Sequence, residues 1–490
     1  MITSTEITST EITGTEIAST RVVRAKTVST KRAGTKTMSN GLLNALVINI
    51  ESVSAFFSAA KRAAFLIAGV LVINLTLGCA TKTSAEYSQD TFVQIRVGAE
   101  QPEHYLSLLK DKRVGLVVNQ SAQVRLTAFE NRQRFTSANE QKASIHLLDA
   151  LLERQVNVQA VFSPEHGFRG NKGAGEKVSS GIDTKTGLPI HSLYGSTKKP
   201  TAAMLANIDV LVFDIQDVGV RFYTYLSTLH YVIEAAFEHN IDVVVLDRPN
   251  PNGQYVSGPI LESAFSSFIG MHPIPVLHGM TLGELAKMMI GESWVDTPSS
   301  STSSLKVIPI SNYQRTMPYS LPVAPSPNLP NDLAVALYPT LCFFEGTDVS
   351  VGRGTHSPFQ LIGHPEVQLG AAEITVKANT AAPKPKHENK TLFASLFKTP
   401  IAAPFTSEVG NGIDVQLLIN TYQAFQRMGN EELPPIFFTR PDFFDKLAGT
   451  NTFREMIKKG KSAQAIKKSW MPALREFKAK RRPYLLYPDT

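Results

Sequence analysis

The chain has 490 residues, of which 43% are hydrophobic and 19% are charged, and this composition excludes a mainly disordered protein. Its two cysteines exclude a disulfide scaffold and any zinc module built from several cysteines. Residues 1–78 hold eight Lys/Arg and four Glu, so the net charge of +7 falls to near +3 without them. That charge is too mild to indicate nucleic-acid binding.

The chain begins with a low-complexity segment, which repeats a Thr-Glu-Ile theme between Thr3 and Thr20. Such a sequence cannot bury enough apolar surface to offset the entropy lost on ordering. We therefore predict a disordered extension over residues 1–60, with Met38 as an alternative start of translation.

A basic pair and an uncharged apolar run follow, and they predict a signal peptide over residues 61–79. The run is short for a membrane span. Gly78-Cys79 resembles a bacterial lipoprotein cleavage site, although Thr76 stands where such sites favour an aliphatic residue. We expect an exported protein, periplasmic or anchored to a membrane through Cys79, with residues 80–94 as a tether. An ordinary signal peptide or an uncleaved anchor is the alternative.

From Val114 onward, short apolar runs alternate with segments of helical period, as in βαβ units. The predicted strands are continuous β-branched runs, which indicate burial on both faces and a mainly parallel sheet. They are Val114–Asn119, Val158–Ser163, Val210–Gln216, Val243–Asp247 and Leu305–Ile310. The predicted helices between them are His146–Arg154, Thr201–Ala206, Tyr225–His239 and Thr281–Gly291. The fold class is α/β, with this sheet domain over residues 95–320.

The composition changes near residue 320, where Leu321–Pro330 contains four prolines in ten residues. This segment cannot form a helix or a central strand, so we take it as the entry to a smaller mixed α/β domain over residues 321–490. The predicted elements of that domain are Val335–Phe344, Val415–Arg427 and a basic helix Ala463–Lys480 that is broken or kinked at Pro472.

Polar residues follow four of the predicted strands, and the carboxyl ends of parallel strands meet at one rim, where ligands bind. These segments begin at Asn119, Ser163, Asp214 and Asp247. We therefore expect a cleft with three amides as candidate substrate ligands, namely Asn119, Gln216 and Asn250.

Glu165 is the candidate proton donor, because Pro164 and Gly167 favour a turn that aims its side chain into the cleft. Nearby carboxylates or partial burial would raise its pKa. The alternative is a loop glutamate that accepts backbone hydrogen bonds. His166 is predicted to orient Glu165, relay a proton or bind substrate, and a structural histidine is the alternative.

Asp217 follows the third strand and is a candidate to stabilise a developing cation or to orient a substrate hydroxyl. Arg221 fits a carboxylate clamp, with an ion pair to Asp217 as the alternative. Tyr223 is a candidate for stacking on a sugar, with core packing as the alternative. Arg353 lies between Gly352 and Gly354, so a tight turn can present its guanidinium to an anionic group across the cleft, or leave it on the surface.

The sequence has no HExxH motif, no helical pair of histidines and no EF-hand loop, so we predict no catalytic metal. It also lacks a phosphate-binding glycine loop and a GxSxG nucleophile elbow. Ligation by His166, Asp214, Asp217 and Asp247 remains the metal alternative.

Many motifs in order resemble the exo-β-N-acetylmuramidase family of bacterial cell-wall recycling, over residues 95–490. The segments that carry the resemblance are Ser163–Gly170, Asp183–Gly195, Asp214–Tyr225, Asp247–Gly253, His278–Met288, Pro325–Pro330, Tyr338–Thr355 and Tyr484–Tyr487. The resemblance implies a Rossmann-like domain, a smaller α/β domain and a cleft between them. It also implies a hydrolase that needs no cofactor and releases terminal N-acetylmuramic acid from the non-reducing end of peptidoglycan fragments.

In this interpretation Glu165 stands where the family has its proposed catalytic glutamate and protonates the glycosidic oxygen. Asp217 or the acetamide of the substrate supports the oxocarbenium-like centre, and the stereochemical outcome stays open. The lactyl carboxylate of muramic acid favours a cationic partner, which Arg169, Arg221 or Arg353 can supply.

Two other functions are kept as alternatives, because fold analogy alone does not settle function. One is a metal-dependent hydrolase of an ester or amide. The other is a lipoprotein that binds muropeptides without catalysis and delivers them to a partner.

Overall fold

The computed structural model describes residues 94–129, 143–168, 180–399, 412–428 and 436–489. The predicted extension and signal peptide, including Cys79, lie outside these residues, as does all but the last residue of the predicted tether. All of the described residues belong to one unit, Thr91–Thr490. Among them, none of the helices combines the length and apolarity that a membrane crossing requires.

A seven-stranded sheet forms the centre of this unit. Its strands are β1 (Val114–Val118), β4 (Val158–Ser163), β5 (Gly181–Ile182), β6 (Pro189–Ser192), β7 (Val210–Asp214), β8 (Asp242–Leu246) and β11 (Leu305–Ile308). Two short pairs lie outside it, β2 (Gln123–Arg125) with β3 (Ser144–His146) and β9 (Ser257–Ile260) with β10 (Pro275–Leu277). The five strands predicted from the sequence are all present.

The strand order across the sheet is β11-β8-β7-β1-β4-β6-β5. All neighbours are parallel except β5, which pairs with β6 in the antiparallel sense at the edge. Counted along the chain, the six parallel strands therefore follow the doubly wound order of a Rossmann fold. The prediction of an α/β fold with a Rossmann-like sheet is confirmed.

Both faces of the sheet are buried, as the β-branched runs predict. Along β7 and β8, alternate residues belong to two separate apolar clusters. Val212 and Val244 pack in one cluster, and Phe213 and Val245 pack in the other. Because side chains alternate between faces along a strand, each cluster is the core of one face.

Helices cover these faces and connect the strands. They are α1 (Leu106–Leu109), α2 (Leu126–Phe129), α3 (Leu147–Glu153), α4 (Ala202–Leu205), α5 (Tyr225–Glu238) and α6 (Leu282–Gly291). The helix starts match the side chains that cap them. Thr201 accepts from the Met204 N–H, and Thr281 forms a capping box with Glu284.

The C-terminal part contains five helices among its described residues and a small antiparallel sheet. The helices are α7 (Asp332–Leu341), α8 (Val415–Met428), α9 (Pro441–Ala448), α10 (Thr452–Lys458) and α11 (Ala463–Arg481). The sheet, in the order β12-β14-β13, is formed by β12 (Leu361–His364), β13 (Ala372–Thr375) and β14 (Thr391–Leu396). The sequence analysis did not identify these strands, because they are short and partly exposed.

Helix α11 continues through Pro472, so of the predicted break or kink the structure excludes the break. Trp470 and Leu474 on either side of the proline are buried. Their packing holds both turns in place although the proline lacks the N–H that the helix ladder would use.

The end of the chain returns to the seven-stranded sheet through the predicted family motif Tyr484–Tyr487. Tyr487 donates its hydroxyl to Asp247 Oδ2 at 2.5 Å, at the end of β8. The buried carboxylate of Glu284 accepts from the Leu486 N–H and pairs with Arg315. The terminal motif therefore has a structural role, because it satisfies two carboxylates that the fold has removed from water.

Candidate active site

The strand order reverses between β1 and β7, because the chain winds outward from this point in both directions. The carboxyl ends of strands on either side of such a reversal bound a crevice. Asn119 follows β1, Glu165 follows β4, and Gln216 and Asp217 follow β7. The structure thus places these predicted residues on one edge of the sheet, as expected from the parallel pattern.

Glu165 sits in a tight turn directly after β4. His166 and Gly167 have φ of 71° and 80°, and the Gly167 N–H donates to the Pro164 carbonyl at 3.1 Å. The positive φ explains the glycine, since this conformation strains residues that carry a Cβ. His166 adopts it although it is not a glycine, and its side chain is buried beside the glutamate.

Two hydroxyl groups fix the carboxyl group of Glu165. Thr224 donates to Glu165 Oε2 at 2.6 Å. Tyr194 donates a second hydrogen bond; burial raises the pKa of Tyr194, and the charge and hydrogen bond of Glu165 raise it further. Glu165 is only 9% exposed, and these two hydrogen bonds orient its carboxyl group.

Tyrosines form the inner wall next to Glu165. Tyr225 accepts from Asn119 Nδ2 at 2.8 Å and donates to the Pro325 carbonyl at 3.2 Å. The ring of Tyr223 packs edge-on against Tyr225, with centroids 4.8 Å apart, and against Tyr338, with centroids 5.9 Å apart. Asn119 and Tyr223 are therefore mainly held by protein contacts, and the proline-rich segment closes over them.

Asp217 has one carboxylate oxygen that is satisfied and one that is not. Oδ2 accepts from the Gly219 N–H at 2.7 Å, whereas Oδ1 has no hydrogen-bond partner among the described residues. Burial raises the pKa of Asp217 to about 7, and the Gly219 N–H offsets part of the rise. A carboxyl group that titrates near neutral pH is suited to proton transfer or to charge stabilisation.

The side-chain amides of Asn250 and Gln216 hold the loops next to Asp217 in place. Asn250 Nδ2 donates to the Met280 carbonyl at 2.9 Å, and Gln216 Nε2 donates to the Pro249 carbonyl at 2.7 Å. A Cβ on Gly219, which has φ of 76°, would lie 1.9 Å from Asn250 Oδ1. These contacts give the two predicted substrate ligands a positioning role in the structure.

The prediction for Arg221 needs correction. Its side chain is 0% exposed, and its guanidinium donates to the carbonyls of Pro259, Ile274 and Leu447 at 2.7–2.9 Å. It forms neither a carboxylate clamp nor an ion pair with Asp217. Burial lowers the pKa of Arg221 to about 9, and the backbone carbonyls take the place that an anion was expected to fill. Arg221 therefore leaves the set of candidate substrate ligands.

Arg353 keeps a position from which it can bind an anion. Its Nε donates to Glu345 Oε1 at 2.9 Å, and its guanidinium carbon lies 4.8 Å from the ring centroid of Phe359. These contacts fix the plane of the group, and its Nη atoms make no hydrogen bond within the described part of the chain. The side chain borders a cavity of about 610 Å³ that Lys384 and Arg440 also line.

Tyr338 is linked to Arg353 through an aromatic ring, because it packs edge-on against Phe359, with centroids 4.9 Å apart, and Arg353 lies over the Phe359 ring. Burial raises the pKa of Tyr338; the negative charge of Glu165 adds to the rise, and the positive charge of Arg353 opposes it. Both groups therefore lie within electrostatic reach of this hydroxyl. Arg169, the remaining cationic candidate, lies outside the described residues.

Two of the three carboxylates of the metal alternative, those of Asp214 and Asp247, are occupied by other partners. Both oxygens of Asp214 bind Arg248, at 2.5 and 2.8 Å. Asp247 accepts from Thr281 and Tyr487. Because the guanidinium of Arg248 already neutralises Asp214, a divalent cation there would face a buried positive charge.

A second group with ligand atoms lies in the C-terminal part, at Asp348, His364 and His387. His364 Nδ1 accepts from the backbone N–H groups of Glu366 and Val367, so its proton is on Nε2 and points to Asp348 Oδ2 at 3.1 Å. His387 Nε2 lies 2.6 Å from the Asp348 carbonyl and donates to it. The two imidazoles thus present N–H groups where a metal would need lone pairs.

Three residues near Glu165 were not predicted from the sequence: Thr224, Tyr194 and Tyr338. Each lies inside a segment that carried the family resemblance, Asp214–Tyr225, Asp183–Gly195 and Tyr338–Thr355. Their position inside these motifs was the available signal. No spacing rule identifies a hydroxyl that orients a carboxylate, so the sequence pattern alone did not reveal them.

Comparison with known protein families covers nearly all of the described chain. The N-terminal profile of exo-beta-N-acetylmuramidase NamZ matches residues 114–333, and the C-terminal profile matches residues 336–487. The chain belongs to the exo-beta-N-acetylmuramidase NamZ family. The resemblance seen in the sequence is confirmed, and so is the prediction of a glycosidase.

Individual NamZ relatives agree over the same length. The peptidoglycan beta-N-acetylmuramidase NamZ of Bacillus subtilis is 39% identical over 399 residues, 78% of this chain and 89% of that protein. Two DUF1343 family crystal structures from Bacteroides fragilis are similar, with TM-scores of 0.66 and 0.62 and identities of 42% and 27%. Each covers 81% of this chain and 100% of its own.

The raised pKa of Asp217 predicts a specific pH dependence of stability. In the unfolded chain the pKa is about 3.9. The stabilising effect of protonated Asp217 is therefore fully present below that pH and is lost as the pH rises through about 7. Asp217→Asn removes this loss, so the free energy of unfolding of the variant minus that of the wild type should rise by ~2–3 kcal/mol from pH 5 to pH 8.

Denaturant titrations at the two pH values measure this difference. Asp209→Asn is the control, because hydrogen bonds with Arg113 lower the pKa of Asp209 to about 2, outside the tested range. A pH dependence in Asp217→Asn equal to that of the wild type would contradict the buried, titrating carboxyl group.

Proposed function

We propose that this protein hydrolyses the β-glycosidic bond of a terminal N-acetylmuramic acid at the non-reducing end of peptidoglycan fragments. The observation that carries the proposal is the carboxyl group of Glu165, which two hydroxyls orient at the carboxyl edge of the sheet. The chain around it matches the exo-beta-N-acetylmuramidase family over residues 114–333 and 336–487. The substrate named for the Bacillus subtilis relative is peptidoglycan. The proposed reaction uses the same substrate class.

In this proposal Glu165 donates a proton to the glycosidic oxygen as the bond breaks. The hydrogen bonds from Thr224 and Tyr194 hold the carboxyl group in one orientation, which a general acid needs to reach a single oxygen. His166, next in the chain, is the candidate that keeps the turn in place.

Asp217 is the second carboxyl group of the proposed mechanism. Its free Oδ1 and its pKa of about 7 suit a group that carries a negative charge when an oxocarbenium-like centre develops. The charges of Glu165 and Asp217 both raise the pKa of Tyr225, after burial, so both carboxyl groups lie within electrostatic reach of this tyrosine. The acetamide of the substrate is the alternative group for this step.

Arg353 is the proposed partner of the lactyl carboxylate, which distinguishes muramic acid from glucosamine. The Glu345 contact and the Phe359 ring preorganise the guanidinium, and Arg353 lines the cavity. Preorganisation lowers the entropy lost on binding, so an end-on pair with a carboxylate is favourable here.

Exchange of the proposed acid tests the mechanism. Glu165→Gln keeps the hydrogen bond acceptor but removes the proton donor, so turnover of a chromogenic N-acetylmuraminide should fall at least ~100-fold. The thermal unfolding midpoint should stay close to that of the wild type. Glu262→Gln is the control, since Glu262 is exposed and its carboxyl group forms no ion pair with a cleft residue in the described part of the chain. Turnover by Glu165→Gln at the wild-type rate would remove Glu165 from the role.

Exchange of the proposed cation tests substrate selection. For the wild type we expect a higher kcat/KM on the free acid of the muraminide than on its lactyl methyl ester. Arg353→Met should reduce this ratio by roughly 10- to 100-fold, the range of a charge-assisted hydrogen bond. The ratio cancels any general loss caused by an unpaired Glu345. Arg440→Met, on the exposed rim of the same cavity, should keep the wild-type ratio. An unchanged ratio in Arg353→Met contradicts the assignment.

We also propose that the protein is exported and anchored through acylated Cys79, from the basic pair, the apolar run and Gly78-Cys79 in the sequence. Cys79→Ala should move the protein from the membrane fraction to the soluble fraction. The peptide that contains residue 79 should then lack the added mass of a lipid. Cys342→Ala is the control, because that thiol is buried. An unmodified Cys79 peptide in the wild type would contradict the anchor.

A further inference from the structure

Three aromatic side chains form a half-buried surface next to Glu165, which we call the aromatic shelf: Tyr194, Phe268 and Tyr231. The Phe268 ring lies 6.2 Å from each of the other two ring centroids, and its plane is within 11° of that of Tyr231. Lys198 Nζ lies 4.8 Å from the Phe268 centroid. The shelf is therefore an ordered cluster that remains accessible to solvent.

The shelf is continuous with the proposed catalytic centre. Tyr194 belongs to both, because its hydroxyl donates to Glu165 while its ring packs on Phe268. A molecule lying on these rings would thus place an atom near the Glu165 carboxyl group.

Hydrogen bonds at its tip and at its base fix the loop that carries the Phe268 ring. Ser267 and Gly270 exchange two backbone hydrogen bonds of 2.9 Å, so the ring stands at the tip of a two-residue turn. At the base of the loop, the buried guanidinium of Arg221 donates to the carbonyls of Pro259 and Ile274, one on each arm. The buried arginine thus fixes the position of an aromatic ring that is itself half exposed.

Glu165 has different surroundings on its two sides. On one side lie the buried rings of Tyr223, Tyr338 and Phe359, which pack in series, and Arg353, the proposed partner of the lactyl carboxylate, lies over the Phe359 ring. The Tyr194 side is the half-exposed shelf. An exo-acting glycosidase needs an enclosed pocket for the terminal sugar and an open side for the rest of the chain, which can have any length.

We propose that the aromatic shelf is the subsite for the leaving-group sugar, an uncharged N-acetylhexosamine whose apolar face stacks on Phe268 and Tyr231. A pyranose ring exposes C–H groups on its faces, and their burial against aromatic rings is favourable. This assignment rests on the proposed function and adds the side of Glu165 from which the product chain departs.

The test compares two substrates that differ only in the leaving group. One is the disaccharide of N-acetylmuramic acid linked β-1,4 to N-acetylglucosamine. The other is methyl β-N-acetylmuraminide, whose leaving group is too small to reach the shelf. Phe268→Ala and Tyr231→Ala should lower kcat/KM for the disaccharide by roughly 5- to 30-fold and leave the methyl glycoside within about 2-fold.

Phe265→Ala is the matched control, because Phe265 lies on the same loop, is half-buried and is not part of the shelf; it should change neither value. Phe268→Leu, which keeps an apolar side chain of similar size, serves if the alanine variant does not fold. Equal losses on both substrates, or no loss on the disaccharide, would overturn the subsite. Release of muramic acid from neither substrate by the wild type would overturn the proposed function itself, and the subsite with it.

Discussion

The reversal of strand order between β1 and β7 is the constraint on which the rest of the structure depends. Parallel strands buried on both faces leave their carboxyl ends as the place where side chains can both reach solvent and remain fixed. Glu165 and Asp217 come from strands on the two sides of β1. One fold-level feature therefore brings two carboxyl groups into one cleft from segments about fifty residues apart in sequence.

The polar residues of this edge divide into two groups that the sequence does not distinguish. Asn250, Gln216 and Arg221 hold backbone carbonyls of neighbouring loops, because buried loops need donors that the sheet ladder does not provide. Glu165 lies in the turn after β4 at the carboxyl edge of the sheet, and Arg353 lines the cavity in the C-terminal part. Both sets occur directly after strands or between glycines, so spacing alone could not separate a substrate ligand from a support.

The fold was predictable where a single physical pattern dominated. Continuous β-branched runs located Val158–Ser163 with both ends correct and Val210–Asp214 to within two residues. A strand that is buried on both faces is apolar along its whole length, so its extent can be identified from the apolar run itself. The sheet formed by β12, β13 and β14 was missed, because short strands at the surface carry a weak pattern. The expected break at Pro472 failed because packing of Trp470 and Leu474 outweighs the lost hydrogen bond.

We propose that the residues at the carboxyl edge of this sheet remove N-acetylmuramic acid only from the non-reducing ends of peptidoglycan chains. The direct measurement is a time course, by mass spectrometry, of two synthetic peptidoglycan tetrasaccharides, one with N-acetylmuramic acid and one with N-acetylglucosamine at the non-reducing end. The account predicts free N-acetylmuramic acid and a trisaccharide from the first, and no product from the second. Internal cleavage of either chain, or release of N-acetylglucosamine from the second, would contradict it.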